Sequence, residues 1–351
     1  LIKILAIESS CDETSAAVVS GGKPLSNVIS SQHFHSKYGG VVPELASRAH
    51  LQSISEIVRH SLVNSNCTIE DIDAIAVTTS PGLAGSLIVG ANFAKGLALK
   101  YDLPIIPVNH IEGHIYSGFL QDEELTFPFV NLVVSGGHTA LFFVESFEKY
   151  LLIGSTIDDA AGEAFDKIGS MLGLDYPAGP RVDKAAAAGN PLRFNFPRSM
   201  LGSNDLNFSF SGLKTSVRYF LEKEYNGADF SLDLNDLCAS VQQAIVDVLV
   251  AKTIRAASVN TVQTIVVGGG VSANSQLRRD LMENGSAKGL KIILPDLAYC
   301  MDNAAMIGYV AELKFANRRH DNDYRNLEFR VNAKALRANN RKTKYFKENK
   351  V

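Results

Sequence analysis

The chain has 351 residues, 46% of them apolar and 20% charged, the balance of an ordinary globular protein with room for two domains or one duplicated domain. A net charge of −3 argues neither for nor against a nucleic-acid partner, because local clusters decide that. No unbroken apolar run approaches the roughly 18 residues needed to cross a bilayer, so an integral membrane protein is not expected.

From the start, residues 2–7 read as a strand, residues 8–15 as a polar, acidic turn, and residues 16–19 as the returning strand. Such a tip is a place to hold a phosphate or its metal, or it is a plain turn. Residues 31–40 read as a loop, and residues 41–62 have helical spacing. Residues 73–79 form an apolar strand running into Ser80-Pro81-Gly82-Leu83-Ala84-Gly85-Ser86 and a helix to about Lys100. The glycines there present backbone N–H groups to an anion, or let helix pack on strand. Residues 104–109 are a short buried strand feeding His110-Ile111-Glu112-Gly113-His114, whose i, i+4 histidines share a helix face and reach one divalent ion. A zincin would need glutamate at Ile111; Glu112 lies roughly 200° around the helix from His110.

The second half repeats this outline. Residues 129–134 are a strand, Ser135-Gly136-Gly137-His138-Thr139 a tight turn, and residues 140–145 the returning strand. Residues 158–172 have helical spacing, Pro177-Ala178-Gly179-Pro180 breaks it, and Arg181 opens the next helix. Residues 194–214 are polar and aromatic, residues 237–257 a long amphipathic helix. Residues 264–267 are a strand entering Gly268-Gly269-Gly270-Val271-Ser272-Ala273-Asn274 and a helix. Residues 291–294 are a short strand, and residues 299–303 begin the last long helix. Asp302, at that start, is either a third metal ligand or an N-cap. Two hairpin-led halves with glycine-rich strand-to-helix turns fit a duplicated nucleotide-binding fold with a central cleft.

Cys11, Cys67, Cys238 and Cys300 are scattered without a C-x-x-C pair, as in a reducing compartment without a thiolate metal cage. Seven Lys/Arg from Lys334 to Lys350 face one acid, Glu348, making residues 331–351 a basic extension that is either a solvated end or a phosphate-binding tail. The start at Leu1 is expected of a trimmed or processed chain.

Taken together, Glu8-Ser-Ser-Cys-Asp-Glu-Thr14, Tyr38-Gly-Gly-Val-Val-Pro-Glu-Leu-Ala-Ser-Arg48, His110-x-x-x-His114, Ser135-Gly-Gly-His-Thr139, Asp159-Ala-Ala-Gly-Glu-Ala-Phe-Asp-Lys167, Phe208-Ser-Phe-Ser-Gly-Leu-Lys214 and Gly268-Gly-Gly-Val-Ser-Ala-Asn274 resemble the tRNA N6-adenosine threonylcarbamoyltransferase family in its bacterial and organellar branch. The resemblance covers residues 4–308. It implies an α/β, duplicated ribonuclease-H-like (actin/Hsp70/sugar-kinase-like) fold, with an N-terminal lobe over residues 1–118, a C-terminal lobe over 119–301, and the helix from about 302 packing back on the first lobe. It implies transfer of threonylcarbamoyl from threonylcarbamoyl-AMP to N6 of the adenosine 3′ of the anticodon (position 37) in tRNAs reading ANN codons. His110, His114 and Asp302 would hold one iron or zinc ion per subunit. Ser135, Gly136, Gly137, His138, Asp166, Gly179, Asp183 and Asn274 would contact threonylcarbamoyl-AMP, AMP or ATP in the cleft. Asp12 and Glu13 are the candidates to position the amine or take its proton. The implied partners are tRNA, an upstream synthase that forms threonylcarbamoyl-AMP, a second copy in a homodimer, and accessory subunits of bacterial type. A mitochondrial matrix location is favoured over a bacterial cytoplasm. The competing readings are a metalloprotease, an ATPase or kinase of the same fold, and a non-catalytic dimer scaffold.

Overall fold

Strand β1 (Lys3–Glu8) buries Ile4, Leu5, Ala6 and Ile7 alike, the pattern of a strand covered on both faces. The computed structural model describes residues 1–317 and 322–334, so the basic extension beyond Lys334 lies outside the described residues. β1 pairs antiparallel with β2 (Glu13–Ser20) and parallel with β4 (Ala74–Ser80). With β3 (Lys23–Ser31) and β5 (Ile105–Asn109) at the edges, the sheet order is β3-β2-β1-β4-β5. The second sheet follows the same plan. β6 (Phe129–Val134) pairs antiparallel with β7 (Thr139–Ser146) and parallel with β9 (Thr264–Gly268). β8 (Lys149–Ser155) and β10 (Lys291–Ile293) close an order that reads β8-β7-β6-β9-β10.

Each sheet has its own helical cover. Helices α1 (Pro43–Asn64) and α2 (Ala84–Tyr101) pack on the first sheet around Leu5, Ile7, Val18, Ile54 and Val77. The second sheet is covered by a core that includes residues of α4 (Ala161–Met171), α5 (Gly179–Ala186), α6 (Ser211–Glu224), α7 (Leu234–Val259) and α8 (Ser275–Ser286). The two remaining helices cross over. α3 (His110–Tyr116) leaves the first sheet and meets β6 and β9 of the second, while α9 (Ala304–Asn317) follows the second sheet's last strand and lies on β1 and β2. Ile111, Ile115, Met306 and Ile307 thereby share one core with Ile4, Ala6, Phe129 and Val266. A seven-residue helix would not stand alone. Ile111 and Ile115 hold it, each fully buried aliphatic side chain contributing about 1.5–3 kcal/mol.

Several elements differ from the sequence expectation. β3 and β8 were not expected; both are edge strands, half-buried and interrupted by polar residues, so they lack an apolar run. The acidic turn is shorter than residues 8–15, because Glu8 and Glu13–Ser20 pair into strands. Residues expected as a loop include a helical turn, His33–Tyr38. α6 grows from the stretch read only as polar and aromatic. α7 is long and apolar enough to cross a membrane by length and composition, although Gln242, Gln243, Asp247 and Lys252 break its apolar run. The chain itself buries 83% of its most apolar window, which marks α7 as the core helix of the second half. The last long helix begins at Ala304, later than residues 299–303.

Candidate metal centre and cleft

The two crossing helices carry the site. Asn109 ends β5 and caps α3, its Oδ1 accepting from the N–H groups of Ile111 (2.8 Å) and Glu112 (3.3 Å), so His110 is the first helical residue. His114 lies one turn on, and the two rings meet edge-on with centroids 4.7 Å apart. Asp302 stands just before α9 with Oδ1 3.4 Å from His110 Nε2 and 3.2 Å from His114 Nε2. It is not the N-cap; Asn303 takes that work, accepting from the Met306 N–H at 3.1 Å, which frees the Asp302 carboxylate to face the histidines. One donor atom from each of the three residues lies within 4.8 Å of the others. Both histidines are buried and Asp302 is 20% exposed, so an ion held there would face the cleft with positions left for other ligands.

Behind His110 stands Glu8, a residue the sequence reading did not single out. Glu8 Oε2 is 3.1 Å from His110 Nδ1 and accepts from Thr78 Oγ1 at 2.5 Å, and Oε1 accepts from the Ser10 N–H at 2.5 Å. Charges are set by this packing. Burial opposes a charge on His110, but Asp302 and Glu8 outweigh it and push the imidazole up to about 9. Burial raises the Asp302 carboxyl, yet His110 and His114 hold it well below the usual carboxylate range. His114 is lowered by burial, and His138 falls to about 4 through burial and the nearby His110 and His114. Gly268 packs against the His114 backbone and Gly269 against Val134 and Ser135, so the second half's turn stands beside the helix that carries the histidines. Glu112 points elsewhere, accepting from Tyr150 Oη (2.9 Å) and Lys314 Nζ (2.6 Å), so no protease base accompanies the histidines.

The predicted adenylate residues divide into two groups. Ser135, Gly136, Gly137 and His138 form the open turn between β6 and β7: the His138 N–H donates to Ser135 Oγ at 3.1 Å, and Gly136 and Gly137 are exposed with no atom within 4 Å of a hypothetical Cβ. The second group braces the chain. Asp166 accepts from the N–H groups of Ala178 (2.8 Å) and Gly179 (3.2 Å), Asp183 binds the Ser275 hydroxyl (2.7 Å) and N–H (3.1 Å), and Asn274 caps α8 through Leu277 N–H (2.9 Å). Across the cleft, Asp12 is half-buried and Glu13 only 7% exposed. Burial, with Asp12 and Asp302 nearby, raises the Glu13 carboxyl well above its usual range. Asp12 also acts on the Asp166 carboxyl and the Tyr176 phenol, both raised chiefly by burial, which sets the two halves' polar groups against each other. The sequence also passed over Asp158, which accepts from Ser209 Oγ (2.5 Å) and the Phe210 N–H (2.8 Å) and so seats the start of α6.

The glycines after β4 are explained by packing. A Cβ on Gly82 would stand 2.5 Å from the Ser10 carbonyl oxygen, and the Leu83 N–H donates to that oxygen at 2.7 Å. Gly269 adopts φ +94° with no room for a side chain against the Val134 carbonyl, which is why a non-glycine residue would not fit that turn.

The family model for tRNA N6-adenosine threonylcarbamoyltransferase matches residues 23–309. The chain belongs to that family. It is 50% identical over 316 residues to the tRNA N6-adenosine threonylcarbamoyltransferase of Geotalea uraniireducens, covering 90% of this chain and 92% of the relative. The corresponding transferase of Riemerella anatipestifer is 50% identical over 317 residues, covering 89% and 92%. Among solved structures, full-length HypF in its phosphate- and nucleotide-bound form superposes with a TM-score of 0.60 at 13% identity, over 91% of this chain and 47% of that one. Component A of the Acidaminococcus fermentans (R)-2-hydroxyglutaryl-CoA dehydratase gives 0.56 at 16% identity, over 90% and 100%. These two likenesses concern the fold, and they agree with the actin/Hsp70-like architecture that the sequence resemblance implied. The family match spans His110, His114, Asp302 and the Ser135–His138 turn, while Glu8, Asp12 and Glu13 precede the matched residues.

Proposed function

We propose that this protein transfers the threonylcarbamoyl group from threonylcarbamoyl-AMP to N6 of the adenosine 3′ of the anticodon (position 37) in tRNAs reading ANN codons. One observation carries the reading beyond family membership: α3 and Asp302 just before α9 deliver ligands to a single centre, and the strand-end Gly268 and Gly269 pack between His114 and the start of the open Ser135–His138 turn. The donor is a mixed anhydride with AMP as a good leaving group, so the site's task is orientation and charge stabilisation. Gly136 and Gly137 offer backbone N–H groups to the phosphate with no side chain on either to stand between, and Ser135 and His138 fix the shape of that turn. Asp166, Asp183 and Asn274 hold the surrounding backbone around the nucleotide, and Gly179 gives its wall a surface the ligand meets. His110, His114 and Asp302 hold one divalent ion, iron or zinc, which would act as a Lewis acid toward a carbonyl or phosphate oxygen. Asp12, half-buried, and Glu13, buried beside it, are the carboxyl groups that accept from the adenosine amine to place it or receive its proton.

The remaining assignments are part of the same proposal. The protein acts as a homodimer supplied by an upstream synthase, in a mitochondrial matrix; a bacterial cytoplasm with accessory subunits is the alternative. The test is a transfer assay with an adenylate-forming partner, ATP, threonine, bicarbonate and unmodified tRNA, read by mass spectrometry of the nucleosides. Product from this chain alone, absent from His110→Ala, is expected. Product only after bacterial accessory subunits are added would replace the self-sufficient reading with the bacterial assembly, and no product under either condition would overturn the transferase reading.

A further inference from the structure

A divalent ion can use an imidazole only through an unprotonated nitrogen, so a histidine ligand must be held in one tautomer and one ring orientation. We infer that Glu8 is the positioning residue that does this for His110, placing the proton on Nδ1 and the lone pair on Nε2. The inference rests on the metal reading of His110, His114 and Asp302 given above.

Two oxygens face His110 Nδ1, Glu8 Oε2 and Ser10 Oγ, each at 3.1 Å. A serine hydroxyl either donates or accepts, so Ser10 alone would permit both tautomers. An ionised carboxylate only accepts, and its place at Nδ1 decides the matter: the Nδ1–H donates to Glu8, and Nε2 is left facing Asp302. Glu8 cannot swing away from this duty. It is fully buried at the end of β1, with Oε1 fixed by the Ser10 N–H and Oε2 by the Thr78 hydroxyl from β4. Two adjacent central strands therefore aim one carboxylate at the back of one ligand. The arrangement is costly to build for packing alone, because a buried carboxylate needs every lone pair satisfied. It also makes the ring a stronger donor, since a carboxylate accepting from the far nitrogen raises the basicity of the near one.

The experiment measures Co2+ and Zn2+ binding to the full chain by competition with a chelating dye, beside the visible spectrum of the Co2+ form and the melting temperature of the metal-free protein. His110→Ala should bind no ion at this site; if the wild-type chain also binds none, the metal reading and this inference fall together. Glu8→Gln keeps the side chain's shape but replaces the fixed acceptor by an amide that can present its N–H2 to Nδ1. It should weaken binding roughly 10- to 100-fold and alter the Co2+ spectrum. Thr78→Val, which removes one of the two groups holding Glu8, should show a smaller loss in the same direction and carries the test if Glu8→Gln does not fold. Ile7→Val loosens the same strand without touching the hydrogen bonds and should bind as the wild type does. Wild-type affinity in Glu8→Gln, or in Thr78→Val where that variant stands in for it, would overturn the assignment while leaving the metal site intact. So would an equal loss in Ile7→Val, which would reduce Glu8 to a structural role.

Discussion

The turn between β1 and β2 and the turn between β6 and β7 occupy equivalent places in two sheets of the same order, and they are built in opposite ways. The first is closed. Gly82 abuts the Ser10 carbonyl, Leu83 donates to it, and Glu8 and Glu13 are buried beside it. The second is open, with Gly136 and Gly137 exposed and nothing within 4 Å of a Cβ built on either. The duplicated frame supplies two tips facing one cleft, and the residues on them decide that one presents carboxylates and the other bare backbone. The exchange of α3 and α9 between the halves then brings the metal ligands to the same place.

That division is broken most severely at the centre itself. Asp302→Ala should abolish specific metal binding, measured by metal content after dialysis against a weak chelator, and lower transfer by more than about 100-fold, since ligand loss exceeds the 10- to 100-fold cost of losing an outer partner. The protein should remain folded by circular dichroism, because Asn303 and not Asp302 caps α9. Retained metal would show that the two histidines suffice and that the crossing of α9 is a matter of packing.

A pair of glycine substitutions sharpens the contrast between the tips. Gly82→Ala forces a Cβ against the Ser10 backbone and should destabilise the chain by about 1–3 kcal/mol in urea unfolding. Gly137→Ala meets open space and should change stability by no more than about 0.5 kcal/mol. Its effect should fall instead on KM for the adenylate, raised where the added methyl stands between backbone and phosphate. Equal stability losses in the two variants would contradict the open-and-closed description.

Much of this was legible in the sequence where local spacing carries the information. The i, i+4 histidines, the strand before them and the boundaries of β6 follow from periodicity and a dense apolar run. The edge strands β3 and β8 were illegible because one side of each has no partner strand and their residues are only half-buried, which leaves no sharp apolar signature. Asp302 was ambiguous because a carboxylate near a helix start suits a cap as well as a ligand, and only the Asn303–Met306 hydrogen bond separates the two. Glu8 was hidden for another reason. It meets His110 across 102 positions of sequence, a contact made by sheet pairing and by no local pattern.

A last pair of variants concerns the braces of the second half, which carries the open tip. Asp166 is half-buried and satisfies two backbone N–H groups at the start of α5, so Asp166→Ala should cost about 1–3 kcal/mol through the donors it leaves unpaired. Asp183 ties α5 to α8 from the surface, and Asp183→Ala should cost no more than about 0.5 kcal/mol. Chemical denaturation ranks the two, and adenylate binding separates their roles. If both only brace backbone, the affinity loss should track the stability loss, larger for Asp166. A larger affinity loss at Asp183 than at Asp166 would mean that its carboxylate leaves Ser275 to contact the ligand, and the open tip would then recruit a side chain as well as backbone.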